Sequence, residues 1–233
     1  MPCLAVVGSM ELVKGSADDL RRQMVVRLKR SGVLVTTAVA DAMDQIPREL
    51  FVPHVDVQSA YADRALPTKF ADDGTPISSV SQPTIVAAML ERLQVSLGNH
   101  VLEIGTGTGY NAALLATLAG GRCVASVELE PDLAEQANKL LSRLGLDVQI
   151  VVGDGRSGYR VSAPYDRIVV TTGARDIASA WTTQLCDGGR LVVPIVDADG
   201  IGCIEVFEKL NDGLLPRAAI PCGFLPIRSA TND

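Results

Sequence analysis

The chain has 233 residues, of which 47% are hydrophobic, so it can bury one sizeable core and we expect a single domain. Its formal net charge of -6 argues against a nucleic-acid-binding protein, because affinity for phosphates requires a broad basic surface. The cysteines show neither CxxC spacing nor a nearby histidine, which disfavours disulfide and zinc frameworks and fits a reducing cytosol; they are Cys3, Cys123, Cys186, Cys203 and Cys222.

The start of the chain carries no sign of export. Residues 4–7 are apolar and Gly8 follows at once, without a basic start or an apolar stretch long enough for a secretion signal or a membrane span. We therefore expect a cytoplasmic protein with no membrane partner.

Helices are predicted in the first part of the chain. Apolar residues recur at helical spacing over residues 18–30, 37–46 and 83–95. Thr36 is a cap signal before the second helix, and Pro83 suits the first turn of the third.

A long irregular stretch is predicted between the second and third helices. Residues 53–81 contain Pro53, Pro67, Gly74 and Pro76 among polar residues. This composition is typical of a surface loop, and functional residues often lie on such loops.

From Gly98 onward the pattern predicts strands that alternate with helices. The predicted strands are residues 101–104, 124–128, 148–152 and 166–171, and the predicted helices are residues 110–118 and 131–144. Such alternation indicates an α/β fold with a mostly parallel, doubly wound sheet. Two further strands, residues 190–196 and 201–207, are joined by a hairpin signal, so the sheet should end antiparallel with residues 201–207 at its edge.

The strongest local signal is a glycine-rich turn between the first buried strand and the following helix. Gly105, Gly107 and Gly109 allow positive φ and a close approach of the backbone to a ligand, while free N–H groups favour polar or anionic groups. A dinucleotide fingerprint has glycines at its first, third and sixth positions, and the sixth position here is Tyr110. Taken alone, the turn fits S-adenosylmethionine or a dinucleotide.

Two acids follow at the ends of the next strands. Glu128 ends the second strand, where a carboxylate can accept both ribose hydroxyl hydrogens. Asp154 follows the third strand, where it could accept a hydrogen bond from an adenine amino group. Either acid alone could be a turn or cap residue, but together they indicate a nucleoside site.

The chain as a whole resembles the protein-L-isoaspartate O-methyltransferase family. The matching segments follow the family's order and are residues 48–53, 60–63, 81–83, 101–116, 153–155, 163–166 and 188–194. The resemblance implies a Rossmann-like class I methyltransferase fold that uses S-adenosylmethionine. The implied reaction methylates L-isoaspartyl carboxylates in proteins or peptides, leading to succinimide formation and protein repair. Residues 1–98 would then provide a helical cap and active-site loop, and residues 99–233 the cofactor-binding core of one compact domain.

The resemblance also implies roles for individual residues. The three glycines fall at the amino-acid end of the cofactor, Glu128 at its ribose, and Asp154 with Gly155 at its adenine. No metal ligand is implied. The full set of cofactor-binding residues that it implies is Ser79, Val80, Glu103, Gly105, Thr106, Gly107, Gly109, Tyr110, Glu128, Leu129, Asp154, Gly155 and Thr171.

Ser81 is the catalytic residue that the resemblance implies, beside the reacting carboxylate. Without the resemblance, Ser81 before Gln82 and Pro83 would be assigned as a helix N-cap. A carboxylate is ionised at neutral pH and a sulfonium is already activated, so methyl transfer between them needs no general base. We therefore assign no role to His54 or His100.

The segment before Ser81 departs from the family pattern. From Leu66 to Ser81 the chain is several residues longer than usual, and Thr84 replaces a histidine. This segment resembles a subgroup that methylates an aspartate of a ribosomally made peptide to form an aspartimide, and so do residues 110–115 and 222–228. Members of the subgroup generally carry a further C-terminal region. Repair is the favoured function, aspartimide formation the second, and a non-catalytic S-adenosylmethionine-binding module the third.

Overall fold

Helices account for about half of residues 15–100. The computed structural model describes residues 15–211 and 213–228, and the expectation for residues 4–8 lies outside this part of the chain. The α-helices are α1 (Ala17–Arg30), α2 (Thr37–Gln45), α3 (Val57–Ala60), α4 (Pro83–Leu93), α5 (Tyr110–Ala119), α6 (Pro131–Arg143) and α7 (Ser179–Gln184). All predicted helices are present, whereas α3 and α7 were missed because so few residues show no helical period.

The N-termini of α2 and α4 are capped in different ways. Thr36 caps α2 with its side-chain oxygen, as predicted. The N-cap of α4 is Gln82, so Ser81 is not the cap residue. Instead, the Asp63 carboxylate accepts the backbone N–H of Thr84 at 2.9 Å and its hydroxyl at 2.6 Å. Thr84 therefore ties the start of α4 to the preceding segment.

A β-hairpin occupies part of the segment predicted to be irregular, which corrects that prediction. Its strands, β1 (Leu66–Phe70) and β2 (Pro76–Val80), pair antiparallel, and Gly74 in the connecting turn has a φ of 83°. Pro67 and Pro76 hid these strands from sequence analysis, since proline normally disfavours strands. Both are tolerated because each strand of a two-stranded sheet is also an edge.

The central sheet has seven strands within the described residues. They are β3 (Val101–Ile104), β4 (Val124–Glu128), β5 (Gln149–Val152), β6 (Tyr165–Val170), β7 (Leu185–Val196), β8 (Ile201–Leu210) and β9 (Gly213–Gly223). Their spatial order is β5-β4-β3-β6-β7-β8-β9, parallel through β7 and antiparallel in the last two pairings. The α/β class, the mostly parallel sheet and the antiparallel C-terminal end are confirmed.

The outer strand on the antiparallel side is β9, so the expectation that residues 201–207 form the edge is wrong. Within β9, Pro216 lies opposite Phe207 and Pro221 lies opposite Cys203. The two prolines hid this strand from sequence analysis in the same way as those of the hairpin.

Helices cover both faces of the sheet. On one face, Val101 and Val124 pack in a core that includes residues of α1, α2, α4 and α5. On the other face, Leu102 and Val127 pack in a core that includes Trp181 of α7. Successive residues of a strand point to opposite faces, so burial on both faces explains the continuous apolar runs of these strands.

The carboxyl ends of the parallel strands meet at one edge of the sheet. From β3 the chain proceeds to β4 and β5 on one side, and it then crosses to β6 and β7 on the other. The strand order therefore reverses between β3 and β6, where open α/β sheets bind their ligands.

Candidate active site

A cavity of about 460 Å³ opens at the carboxyl edge of the parallel strands. It is bounded by this edge, by the hairpin and by residues 223–228, and its size is typical of a small-molecule site. The sequence-predicted residues that line it are Ser79, Ser81, Gly105, Gly107, Glu128, Leu129, Gly155 and Thr171.

A smaller cavity of about 50 Å³ lies between the glycine turn and α4. It shares several residues with the large cavity and adds three more of the predicted set, which are Val80, Thr106 and Tyr110. Eleven of the fourteen predicted residues thus line one cavity or the other.

The glycine turn packs so closely against the end of β6 that a residue with a side chain would not fit at Gly105. Gly105 has a φ of 97°, and a Cβ atom added there would lie 2.6 Å from the Thr171 hydroxyl oxygen. That hydroxyl donates to the carbonyl oxygens of Ile104 and Gly105, and Thr171 follows β6. The turn and the end of β6 are therefore packed against each other, as the switch point of the sheet requires.

Glu128 holds the glycine turn against the end of β4. Its carboxylate accepts the backbone N–H of Gly107 at 2.7 Å and that of Glu130 at 3.0 Å. The residue is 7% exposed and lines the cavity. One carboxylate thus stabilises the two backbone segments that form this wall of the cavity.

Three predicted residues line neither cavity. Gly109 packs against α6, since a Cβ there would lie 3.2 Å from the Ala137 Cβ atom. Asp154 accepts the backbone N–H of Arg156 at 2.8 Å, which caps a short 3-10 helix, although its neighbour Gly155 does line the cavity. The third residue, Glu103, lies beneath the turn.

Glu103 is fully buried within a hydrogen-bond network. It accepts the hydroxyl of Ser126 and, at 2.8 Å, the side-chain N–H of Asn111. The Thr106 hydroxyl lies 2.6 Å from that of Ser126, so the network reaches the glycine turn. Burial raises the pKa of the Glu103 carboxyl to about 7, although the bonds from Ser126 and Asn111 act in the opposite direction.

The hairpin lies directly over the glycine turn. A Cβ on Gly107 would lie 3.6 Å from the hydroxyl oxygen of Ser78, which accepts a hydrogen bond from Thr68 at 3.0 Å. Ser81 follows β2 at the junction with α4 and lines both cavities. The hairpin thus brings the predicted catalytic serine to the predicted cofactor-binding turn.

An ionic cluster joins the hairpin, the start of α6 and the C-terminal segment, whose Arg228 lines the large cavity. Lys69 of the hairpin lies 2.6 Å from both Glu130 and Asp132 at the start of α6, and Arg228 lies 2.8 Å from Glu130. The hydrogen bond from Lys69 lowers the pKa of the Glu130 carboxyl, and Arg228 adds to the effect. Three segments distant in sequence therefore meet beside the carboxylate of Glu128.

Sequence reasoning missed part of the cavity wall. Thr172 and residues 223–228 line the cavity, including Phe224 and Leu225. The segment after β9 shows no periodicity, and the only signal available was its resemblance to the peptide-methylating subgroup.

The site offers polar backbone, one buried carboxylate and hydroxyl groups. Within residues 15–211 and 213–228, no group of three or more histidine, cysteine or acidic side chains is placed to hold a metal ion. None of the helices in the described part of the chain combines the length and apolar character needed to cross a membrane. The arrangement can bind a nucleoside and present a hydroxyl to a second molecule.

The chain matches a family model described as Protein-L-isoaspartate(D-aspartate) O-methyltransferase (PCMT) over residues 19–232. It is 36% identical over 212 residues to the Protein-L-isoaspartate O-methyltransferase of Ignicoccus hospitalis, which covers 90% of this chain and 98% of that one. It is 46% identical over 183 residues to the protein of the same description from Methanoculleus marisnigri, covering 77% and 80%.

Solved structures also superpose on this chain. A protein-L-isoaspartate O-methyltransferase superposes with a TM-score of 0.80 at 33% identity, over 88% of this chain and 65% of that one. A putative protein-L-isoaspartate O-methyltransferase from Plasmodium falciparum, in complex with S-adenosyl-L-homocysteine, superposes with a TM-score of 0.76 over 89% of this chain and 98% of that one. Its identity of 18% supports the fold alone.

Proposed function

Because this chain belongs to the protein-L-isoaspartate(D-aspartate) O-methyltransferase family, we propose that it methylates L-isoaspartyl carboxylates of proteins or peptides with S-adenosylmethionine. The methyl ester leads to a succinimide, and in this way the enzyme repairs damaged aspartate-derived residues. The observation that carries the proposal is the family match over residues 19–232, combined with a cavity that the glycine turn and Glu128 line.

The residues at the carboxyl edge fit S-adenosylmethionine. Gly105 lines the cavity without a side chain, and Glu128 provides a buried carboxylate beside it. Ile104, Val127 and Leu129 add an apolar wall suited to a nucleoside. We propose that the sequence-predicted cofactor-binding residues hold the cofactor here, Glu128 at the ribose and Gly155 at the adenine. Asp154 would act beside Gly155 through the loop that its carboxylate caps.

The cofactor supplies an activated methyl group, and the protein has to supply position and exclusion of water. We propose that the Ser81 hydroxyl donates a hydrogen bond to one oxygen of the acceptor carboxylate and so orients the other toward the methyl group. No proton has to be removed, since the acceptor is ionised near neutral pH.

We also propose that the two parts of the chain divide this work within one domain. Residues 1–98 would contribute the hairpin, Ser81 and the helical cap, and residues 99–233 the cofactor-binding core. The cavity is lined from both parts, and the cap helices share a core with the sheet, which supports the division. A cytoplasmic location is proposed from the cysteines, because the four in the described part of the chain are free thiols.

The substrate class is tested with methyl-labelled S-adenosylmethionine and two synthetic peptides that differ only in one residue, L-isoaspartate or L-aspartate. Base treatment of a methyl ester releases volatile labelled methanol, which is counted. We expect the isoaspartyl peptide to be methylated and the aspartyl peptide to be methylated at least about 100-fold more slowly, since the two carboxylates differ in distance from the backbone.

Two results would contradict the proposal. Faster methylation of the aspartyl peptide would indicate the peptide-modifying subgroup, which the longer hairpin segment resembles. Binding of S-adenosylhomocysteine by calorimetry without label transfer to either peptide would indicate a non-catalytic binding module.

A further inference from the structure

Arg48 is fully buried in a 3-10 helix, Arg48–Phe51, of the helical cap. Its guanidinium donates from Nε to the carbonyl oxygen of Ala60 and from Nη2 to the carbonyl oxygen of Ser81, both at 2.8 Å. One side chain therefore connects the end of α3 with the junction between β2 and α4, which contains the proposed catalytic serine.

The guanidinium also lies over the ring of Tyr110, with Cζ 4.9 Å from the ring centroid. Tyr110 is the first residue of α5, directly after the glycine turn, and Phe51 packs on it edge-to-face at 5.5 Å between ring centroids. Arg48 thus contacts the substrate-side serine and the start of the cofactor-side helix at once.

Burying the charged guanidinium of Arg48 costs free energy. Among the described residues, no carboxylate lies within ion-pair distance of Arg48, so the charge is buried against carbonyl oxygens and a ring face. Burial lowers the pKa of the guanidinium, and the polar groups around it act in the opposite direction. An apolar residue of similar volume would fill the same space at less cost, but it could hold neither carbonyl.

We propose that Arg48 is a positioning residue for the methyl transfer and that it acts by fixing the backbone of Ser81. The hydrogen bond to the Ser81 carbonyl sets the peptide plane between Ser81 and Gln82, and thereby the direction of the serine side chain. This inference rests on the proposed function, because it assumes that the Ser81 hydroxyl orients the acceptor carboxylate.

The planar guanidinium of Arg48, a fork of N–H donors, explains how the Ser81 carbonyl is held in place. Nε and Nη2 have a fixed mutual geometry, so the Ala60 carbonyl serves as the fixed point from which the Ser81 carbonyl is placed. The contact of Cζ with the face of the Tyr110 ring holds the fork beside the start of α5. Lysine would keep the charge but would lose the planar fork.

The test is a double-mutant cycle of Arg48→Lys and Ser81→Ala, with kcat for an isoaspartyl peptide as the readout. We expect Arg48→Lys to lower kcat at least about tenfold in the native background and less than about threefold in Ser81→Ala, because no hydroxyl is left to position. The dissociation constant of S-adenosylhomocysteine should change less than about threefold, since Arg48 does not line the large cavity.

The matched control is Arg27→Lys. Arg27 also donates from Nη2 to a backbone carbonyl of the cap, that of Tyr61 at 2.7 Å, but it makes no bond to Ser81. This variant should leave kcat within about twofold of the native value. If Arg48→Lys fails to fold by circular dichroism, Arg48→Gln replaces it, because a neutral amide costs less to bury.

The possible outcomes separate the two proposals. Equal loss of kcat in both backgrounds, or no loss in the native background while Ser81→Ala is impaired, would overturn the role of Arg48 and leave the proposed function standing. Full kcat in Ser81→Ala would remove the serine role itself and the inference with it, even if isoaspartyl methylation is observed.

Discussion

The carboxylate of Glu128 accepts the backbone N–H of Gly107 at 2.7 Å, so the end of β4 and the glycine turn after β3 form one unit. The acid expected to bind the ribose therefore also holds the turn expected to bind the amino-acid end of the cofactor. A change at Glu128 should affect both functions at once.

Replacing Glu128 with Gln should weaken cofactor binding. The amide keeps the shape, but its NH2 group must face one of the two backbone N–H groups that the carboxylate now accepts, and a charge-assisted bond is lost. We expect the affinity for S-adenosylhomocysteine, measured by calorimetry, to fall roughly 10- to 100-fold. Glu135→Gln, at an exposed ion pair on α6, is the control, and equal affinity in both variants would contradict the assignment of Glu128.

Gly105→Ala should destabilise the protein and prevent cofactor binding. The new Cβ would lie 2.6 Å from the Thr171 hydroxyl oxygen at a φ of 97°, whereas Gly145, with a φ of 71°, has nothing within 4 Å of such an atom. Gly145→Ala reports the cost of positive φ alone, about 1 kcal/mol. Urea unfolding should show a larger loss for Gly105→Ala, and calorimetry should show S-adenosylhomocysteine binding only in Gly145→Ala. Matching results for the two variants would show that the crowding at Gly105 has no effect.

The stability of the protein should depend on pH through Glu103. The folded protein raises the pKa of this carboxyl from 4.5 to about 7, so it binds the proton more tightly than the unfolded chain does. The stabilisation is fully present below pH 4.5 and is lost as the pH rises through 7, by roughly 3 kcal/mol in total.

Glu103→Gln isolates this contribution, because the amide has no proton to lose and can still accept from Asn111. Urea unfolding at pH 5 and pH 8 should show that the native protein loses more stability over this interval than the variant does. The same pH dependence in both proteins would mean that Glu103 titrates at its ordinary pKa in the folded state.

The ionic cluster of Lys69, Glu130, Asp132 and Arg228 should slow the release of the product cofactor. Lys69→Met removes the link between the hairpin and the start of α6, so S-adenosylhomocysteine should dissociate several-fold faster at low salt, as measured by stopped-flow. The difference should shrink at high salt, which screens the native cluster. Lys139→Met, at an exposed pair with Glu135, is the control, and a Lys69 effect that persists at high salt would point to lost packing.

Local patterns sufficed for the parts of the fold in which residues near in sequence determine the structure. The apolar runs of β3 and β4 and the glycines after Ile104 predicted the parallel core, and strand ends placed Glu128 near the turn. The hairpin and β9 could not be read in this way, because Pro67 and Pro216 interrupt the alternation that marks a strand. Contacts such as that between Arg48 and Ser81 depend on how the cap packs, and no local period encodes them.

The prolines of β9 have a consequence for how copies of this chain meet. Pro216 and Pro221 interrupt the outermost strand of the sheet, and a proline has no N–H with which to continue a ladder of hydrogen bonds. An incoming strand would therefore meet no N–H donor wherever one of these proline nitrogens faces away from β8, which weakens pairing along this margin. The isoaspartyl proteins proposed above as substrates would therefore find on this margin a poor template for adding their own extended segments.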